Sequence, residues 1–159
     1  MNIKPGQWLA GAAVVPVAAV CTALFTQHVL GMQPCPWCVL QRLIFLGISL
    51  AAVAGLLLRG AWPRRGAATV MLALAGCGVA AALWQHFVAA ASVSCNLTLA
   101  DRVMTGLGLD ALWPEVFAPM ASCADAAAKL LGVPYEFYSL TLFVALAGAA
   151  VMVLRRPQA

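Results

Sequence analysis

Two of the six cysteines in this 159-residue chain stand three apart, in the run Pro34-Cys35-Pro36-Trp37-Cys38. Two residues between cysteines close a very small disulfide ring, which constrains the chain little and suits thiol–disulfide exchange. Arg42 follows Cys38 by four residues, one helical turn, so the two share a face if the segment is a helix. With Cys35 as the cap of that helix, Pro36 occupies the first turn, where a missing N–H costs nothing. Cys38 then lies at the positive end of the helix dipole beside a permanent cation, and both features favour a thiolate. Zinc would need two further ligands, and no histidine accompanies the outer cysteines. Covalent haem attachment needs histidine directly after the second cysteine, where Val39 stands. No metal is expected.

The elements that must hold these residues follow from composition. Apolar residues make up 64% of the chain and charged residues 9%, against roughly 25% charged in a soluble domain. A water-soluble fold of this size lacks the charge to cover its surface, and disorder is excluded by the hydrophobicity. Four apolar runs are each long enough for a ~30 Å hydrocarbon core: residues 8–30, 39–58, 67–91 and 137–154. They predict an all-α membrane protein, a single four-helix bundle over residues 1–159. The first run is longer than a signal-peptide core and three more follow it, so it is expected to remain as a helix. Pro16 interrupts it, Arg42 lies inside the second run, and Gln85 and His86 lie near the end of the third.

Charge gives the orientation. Lys4, Arg59, Arg64, Arg65, Arg155 and Arg156 fall on one side of four alternating spans; Arg102, Lys129 and all five acids fall on the other. The basic side is expected to be cytoplasmic, with both termini and the loop 59–66. The net charge of +4 therefore reflects helix-flanking anchors and not a nucleic-acid surface. Only Arg42 belongs to neither group. An arginine inside a span marks a functional site by default; the alternative is an anchor reaching up to the headgroups.

Cys35, Cys38, Cys95 and Cys123 then all lie in the outer loops, 31–38 and 92–136, where disulfides persist. Four cysteines allow three pairings; closeness in sequence favours Cys35 with Cys38 and Cys95 with Cys123. The second pair also reads as a structural staple, worth about 2–4 kcal/mol. Cys21 and Cys77, at lipid depth, are expected to be small buried hydrophobes. The long second loop has a capping box at Ser122 to Asp125, predicting a short helix ending near Leu131 before Gly132 and Pro134. Cys123 would sit in its first turn. Residues 103–117 read either as a segment lying on the membrane surface or as a small apolar core packed over the helix ends.

The octapeptide Cys35-Pro36-Trp37-Cys38-Val39-Leu40-Gln41-Arg42 resembles the signature of the DsbB family, four-helix thiol:quinone oxidoreductases of the bacterial inner membrane. The likeness extends to Cys95 and Cys123 in the second outer loop and to Gln85-His86 at the end of the third span. It implies that a DsbA-like periplasmic dithiol oxidase attacks at Cys95, releasing Cys123. Cys123 would pass the electron pair to the Cys35–Cys38 disulfide, and Cys38 would meet a membrane quinone, ubiquinone or menaquinone. Arg42 would stabilise the Cys38 thiolate and charge on the quinone oxygen, and His86 would lie near the quinone. Gln41 departs from the pattern, standing where some relatives carry an acid.

The residues agree with an acceptor of this kind, since the glycines are scattered through apolar spans and form no dinucleotide loop. Two rivals have different signatures. Vitamin K epoxide reductase-like thiol/quinone enzymes carry Cys-x-x-Cys in a late helix, whereas here it opens the second. A non-enzymatic four-span scaffold stapled by disulfides would make Arg42 dispensable and need no quinone.

Overall fold

A computed structural model describes residues 4–58, 60–91, 98–126, 129–130 and 132–155. Cys95, Arg59 and Arg156 lie outside the described residues. Four helices are long and apolar enough to cross a membrane: α1 (Pro5–Val29), α2 (Pro36–Leu57), α3 (Ala61–Trp84) and, after the long loop, α7 (Tyr135–Arg155). The chain forms an all-α four-helix membrane bundle. Each helix satisfies its own backbone, which is what allows it to sit in hydrocarbon. α3 starts at Ala61, ahead of the apolar run expected over 67–91, and continues past Trp84 into a π-helical turn, Gln85–Ala89.

The bundle is a ring in which α2 packs between α1 and α3, and α3 between α2 and α7. The α1–α7 side is the more loosely packed seam. Small residues on α3 permit close approach: Ala67, Ala68, Ala75, Gly78, Ala81 and Ala82 are all buried. Gly78 sits against Phe143 of α7, whose ring stacks on Phe45 of α2 with centroids 4.1 Å apart and planes 6° from parallel. Pro16 removes one N–H from the α1 ladder, and the Ser49 hydroxyl of α2 donates to the Ala13 carbonyl of the same turn at 2.5 Å. Val14, Val17, Leu50, Leu57, Val70 and Val144 face outward, a surface suited to lipid. Cys21 and Cys77 face outward too, correcting the expectation that they are buried. Neighbouring spans are alanine-rich, and a small thiol in lipid needs no protein cover.

The long loop carries α4 (Leu99–Leu107), α5 (Leu109–Leu112) and α6 (Pro114–Phe117). Thr98 and Asp101 cap α4 reciprocally, and Gly108, with φ +64°, turns the chain into α5. Met104 and Phe117 bury themselves on Val39, forming a second apolar cluster along the flank of α2. Leu99, Leu107, Leu112 and Trp113 remain exposed on the other side. The inner face thus forms the small apolar core that the sequence offered as one of its two readings.

The predicted helix from Ser122 toward Leu131 is not what forms. Ser122 and Asp125 do bond as a capping box, Asp125 N–H to the Ser122 hydroxyl at 3.2 Å, but only a turn follows. Lys129–Leu130 (β1) then pairs antiparallel with Val133–Pro134 (β2) around Gly132, whose φ is +82°. A helix confined between Ser122 and Gly132 offers few hydrogen bonds against the cost of nucleation, and Gly132 supplies the left-handed turn a hairpin needs.

Candidate functional site

Cys35 caps α2, and its sulfur accepts a hydrogen bond from the Cys38 N–H at 3.3 Å. Cys38 lies in the first turn, where an N–H has no acceptor within the helix, and Pro36 at the first position sacrifices no bond there. The Cys35 and Cys38 sulfurs are 2.9 Å apart. Cys35 also makes a hydrogen-bond contact with Cys123, so one sulfur touches two others. The segment bearing Cys123 is docked by the backbone: the N–H groups of Met120 and Ala121 donate to the Pro34 carbonyl at 2.9 and 3.4 Å. The Trp37 N–H, at the start of α2, donates to the Cys123 sulfur.

These contacts sort the protons. Contact with Cys123, then with Cys38, and then burial push the Cys35 thiol far above the ordinary range. The same Cys35–Cys123 contact, aided by the Trp37 N–H and opposed by burial, brings Cys123 below it. Cys123 thus gains its favourable environment from the N-terminus of α2 and not from a helix of its own, which corrects the sequence expectation.

Below the sulfurs, polar side chains from three spans converge in otherwise apolar surroundings. The Gln85 Nε2 donates to the Cys38 sulfur at 3.2 Å, and the Gln85 Oε1 accepts from the Gln41 Nε2 at 2.7 Å. Gln41 and Gln85 are both buried. The Arg42 guanidinium, 6% exposed, donates to the Gln27 Oε1 of α1 at 2.8 Å and to the Val116 carbonyl of α6 at 3.0 Å. It is enclosed by the bundle and the loop, not extended to the headgroups. His86, on the π-helical turn, lies 2.7 Å through its Nδ1 from the Glu136 carboxylate at the head of α7.

Two adjoining cavities of about 230 and 320 Å³ meet here, sharing Ala23, Cys38, Arg42, Gln85 and Tyr135. The first extends between Ala19 and Val20 of α1 and Ser139 and Leu142 of α7, along the loose seam. Its mostly apolar wall, with cationic and hydroxyl donors at the sulfur end, fits a flat apolar ring bearing acceptor oxygens. Among the described residues no cluster of metal-ligating side chains occurs.

The structure thus brings together Cys35, Cys38, Cys123 and Arg42. Cys95 lies outside the described residues. His86 reaches the cavity wall through Glu136, which lines it. Sequence reasoning missed Gln27, Glu136 and the role of Gln85. Gln27, Gln41 and Gln85 are polar residues within or beside apolar runs, a signal that could have found them, but nothing in their spacing shows that Gln41 bonds to Gln85 or Gln27 to Arg42.

A family profile described as "Disulfide bond formation protein DsbB" matches residues 5–153. Among similar proteins is "Disulfide bond formation protein B" of Pseudomonas syringae pv. tomato, 35% identical over 136 residues, 82% of this chain and 78% of that one. The protein of the same name from Aromatoleum aromaticum is 34% identical over 147 residues, covering 87% and 88%. That of Ralstonia nicotianae is 31% identical over 152 residues, covering 91% and 90%. Together with the sulfur cluster above a buried arginine in a four-span bundle, these likenesses place the chain in the DsbB family of membrane proteins that take part in disulfide bond formation.

Proposed function

We propose that this chain, in the inner membrane with its cysteine loops toward the periplasm, reoxidises a DsbA-like dithiol and passes the electrons to a membrane quinone. The carrying observation is that Cys35 touches both Cys123 and Cys38, with Cys38 in turn lining a cavity beside Arg42. The three sulfurs and the cavity form a line from the loop to the seam between α1 and α7.

In this reading the partner's thiolate attacks Cys95 of a Cys95–Cys123 disulfide and forms a mixed disulfide. The partner's second cysteine resolves it. Cys123 leaves as the thiolate its surroundings favour and attacks Cys35, releasing Cys38 as a thiolate. Cys95, freed from the partner, then attacks Cys123 of that bond, which restores the Cys95–Cys123 disulfide and frees Cys35 as a thiol. When bound, a quinone supplies the two-electron oxidising power that the cysteines lack. Gln85 holds the Cys38 sulfur, Arg42 lines the cavity as a cation, and Tyr135 lines it where the two cavities meet. Over a full cycle one dithiol loses two electrons and two protons, and one quinone gains them.

The test mixes the purified chain with a reduced thioredoxin-fold dithiol donor and a short-chain ubiquinone, following quinone absorbance. Turnover abolished by Cys38→Ser and by Cys95→Ser is the expected result. Absence of turnover, or turnover indifferent to Cys38→Ser, overturns the reading.

A further inference from the structure

Glu136 takes no part in the sulfur relay, yet it is 7% exposed at the head of α7 and lines the cavity. An unpaired carboxylate there would be costly. Its partner is His86 at 2.7 Å, whose own side chain is 32% exposed. The Phe87 and Phe137 rings hold the imidazole edge-on at 4.9 and 4.7 Å. Imidazole and carboxylate thus form a two-member path from the outer surface of the bundle to the cavity wall.

The chemistry of the cavity calls for such a path. Converting Cys35–SH, Cys38–S⁻ and a quinone into a disulfide and a hydroquinone consumes one H⁺ from elsewhere. Two electrons leave the sulfurs, the Cys35 proton supplies one O–H bond, and the second O–H bond needs an external proton. The titratable or charged groups facing this space are Cys38 and Arg42 from α2, and Tyr135, Glu136 and Tyr138 from α7, with Asp125 at the adjoining cavity. α1 contributes only uncharged residues to the wall. Cys38, displaced from its disulfide as the leaving thiolate, brings no proton. Arginine does not release one, a phenol is by its chemistry a much weaker acid than a carboxylic acid, and Asp125 is exposed and bonded to Ser122. Glu136 is the group left with both a position on the wall and a route for refilling.

We infer that Glu136 delivers the second proton to the quinone oxygen and that His86 refills Glu136 from outside. Glu136 is then a catalytic residue and His86 a positioning and relay residue acting through it. The inference rests on the quinone-reductase reading.

The test uses the full chain in detergent, its cysteines pre-reduced, mixed in a single turnover with short-chain ubiquinone. Hydroquinone formation, proton uptake by a pH-indicating dye and quinone affinity by tryptophan quenching are read together. Glu136→Gln, which keeps a polar side chain of the same shape, is expected to slow hydroquinone formation and proton uptake at least tenfold, leaving quinone affinity unchanged. His86→Ala is expected to slow both, with recovery when imidazole buffer is added, because a small carrier can replace an exposed relay but not a packing contact. Wild-type rates in Glu136→Gln across pH 6–8, or a His86→Ala defect that imidazole does not relieve, overturns the inference. Failure of the wild-type chain itself to form hydroquinone refutes the quinone reading instead, and separates the two.

Discussion

The Gln85 side-chain nitrogen lies 3.2 Å from the Cys38 sulfur because the other end of the same amide accepts a hydrogen bond from Gln41 at 2.7 Å. An amide has one donor end and one acceptor end, so the Gln41 contact decides which end of Gln85 meets the sulfur. Replacing Gln41 by Glu removes that donor, and Gln85 is then expected to turn its nitrogen to the new carboxylate and its oxygen to the sulfur.

A hydrogen bond to a charged group is worth about 1.5–3 kcal/mol, or roughly ten- to a hundredfold in rate. Gln85→Leu is therefore expected to reduce alkylation of Cys38 by iodoacetamide at pH 7 within that range, in quinone-free protein. Gln41→Glu should do the same without touching the sulfur. Equal alkylation in Gln41→Glu and the parent chain would show that the amide pair does not orient the donor.

The pH dependence of Cys123 has a definite sign. Its folded thiol titrates below the ordinary range because of Cys35 and the Trp37 N–H. Its thiolate therefore persists below pH ~8.5, where an ordinary thiol gains its proton, and is lost only as pH falls through the lower folded value. Cys35→Ala removes the principal cause. In that variant the alkylation rate of Cys123 plotted against pH should shift upward, toward ordinary thiols. A curve that stays in place would mean that Cys35 does not tune Cys123.

Gly78 tests the packing that positions the site. A Cβ at Gly78 would overlap the Phe143 ring, which stacks on Phe45 one turn below Arg42. Overpacking costs about 1–3 kcal/mol, so Gly78→Ala is expected to lower the thermal midpoint in detergent. Gly76→Ala, where a Cβ meets nothing within 4 Å, should not. Gly78→Ala combined with Phe143→Leu should recover part of the loss.

The spans and the Cys-x-x-Cys helix start were legible because hydropathy and Pro36 act locally. The same holds for Arg42, which stands out in a chain with nine basic residues because its position is isolated within a span. The contacts of Gln27 and Glu136 were not legible, since they join α1 to α2 and the π-helical turn to α7 across gaps that no periodicity encodes. Ser122 to Asp125 misled for a different reason. Its capping pattern does form, but the choice between helix and hairpin is made downstream at Gly132.

Arg42 allows a structural and a functional reading to be separated. Its guanidinium is buried and donates to Gln27 and to the Val116 carbonyl. Leaving a buried neutral acceptor without its donor typically costs about 1–3 kcal/mol, whereas replacing both partners by apolar residues of similar shape is often nearly neutral. Arg42→Met alone leaves Gln27 without its donor and should lower the thermal midpoint. Arg42→Met with Gln27→Leu is expected to restore the midpoint to within a few degrees. Quinone reduction should nevertheless remain depressed by about a hundredfold, the effect of removing roughly 2.7 kcal/mol of stabilisation from the reacting state. Arg42→Lys keeps the charge but not the planar fork, and should fall between the two in rate. If the double variant recovers rate together with stability, Arg42 is an anchor for α1 and the loop, and its cation does no chemistry. If stability returns and rate does not, the charge is held in the bundle against its solvation cost for the sake of the reaction.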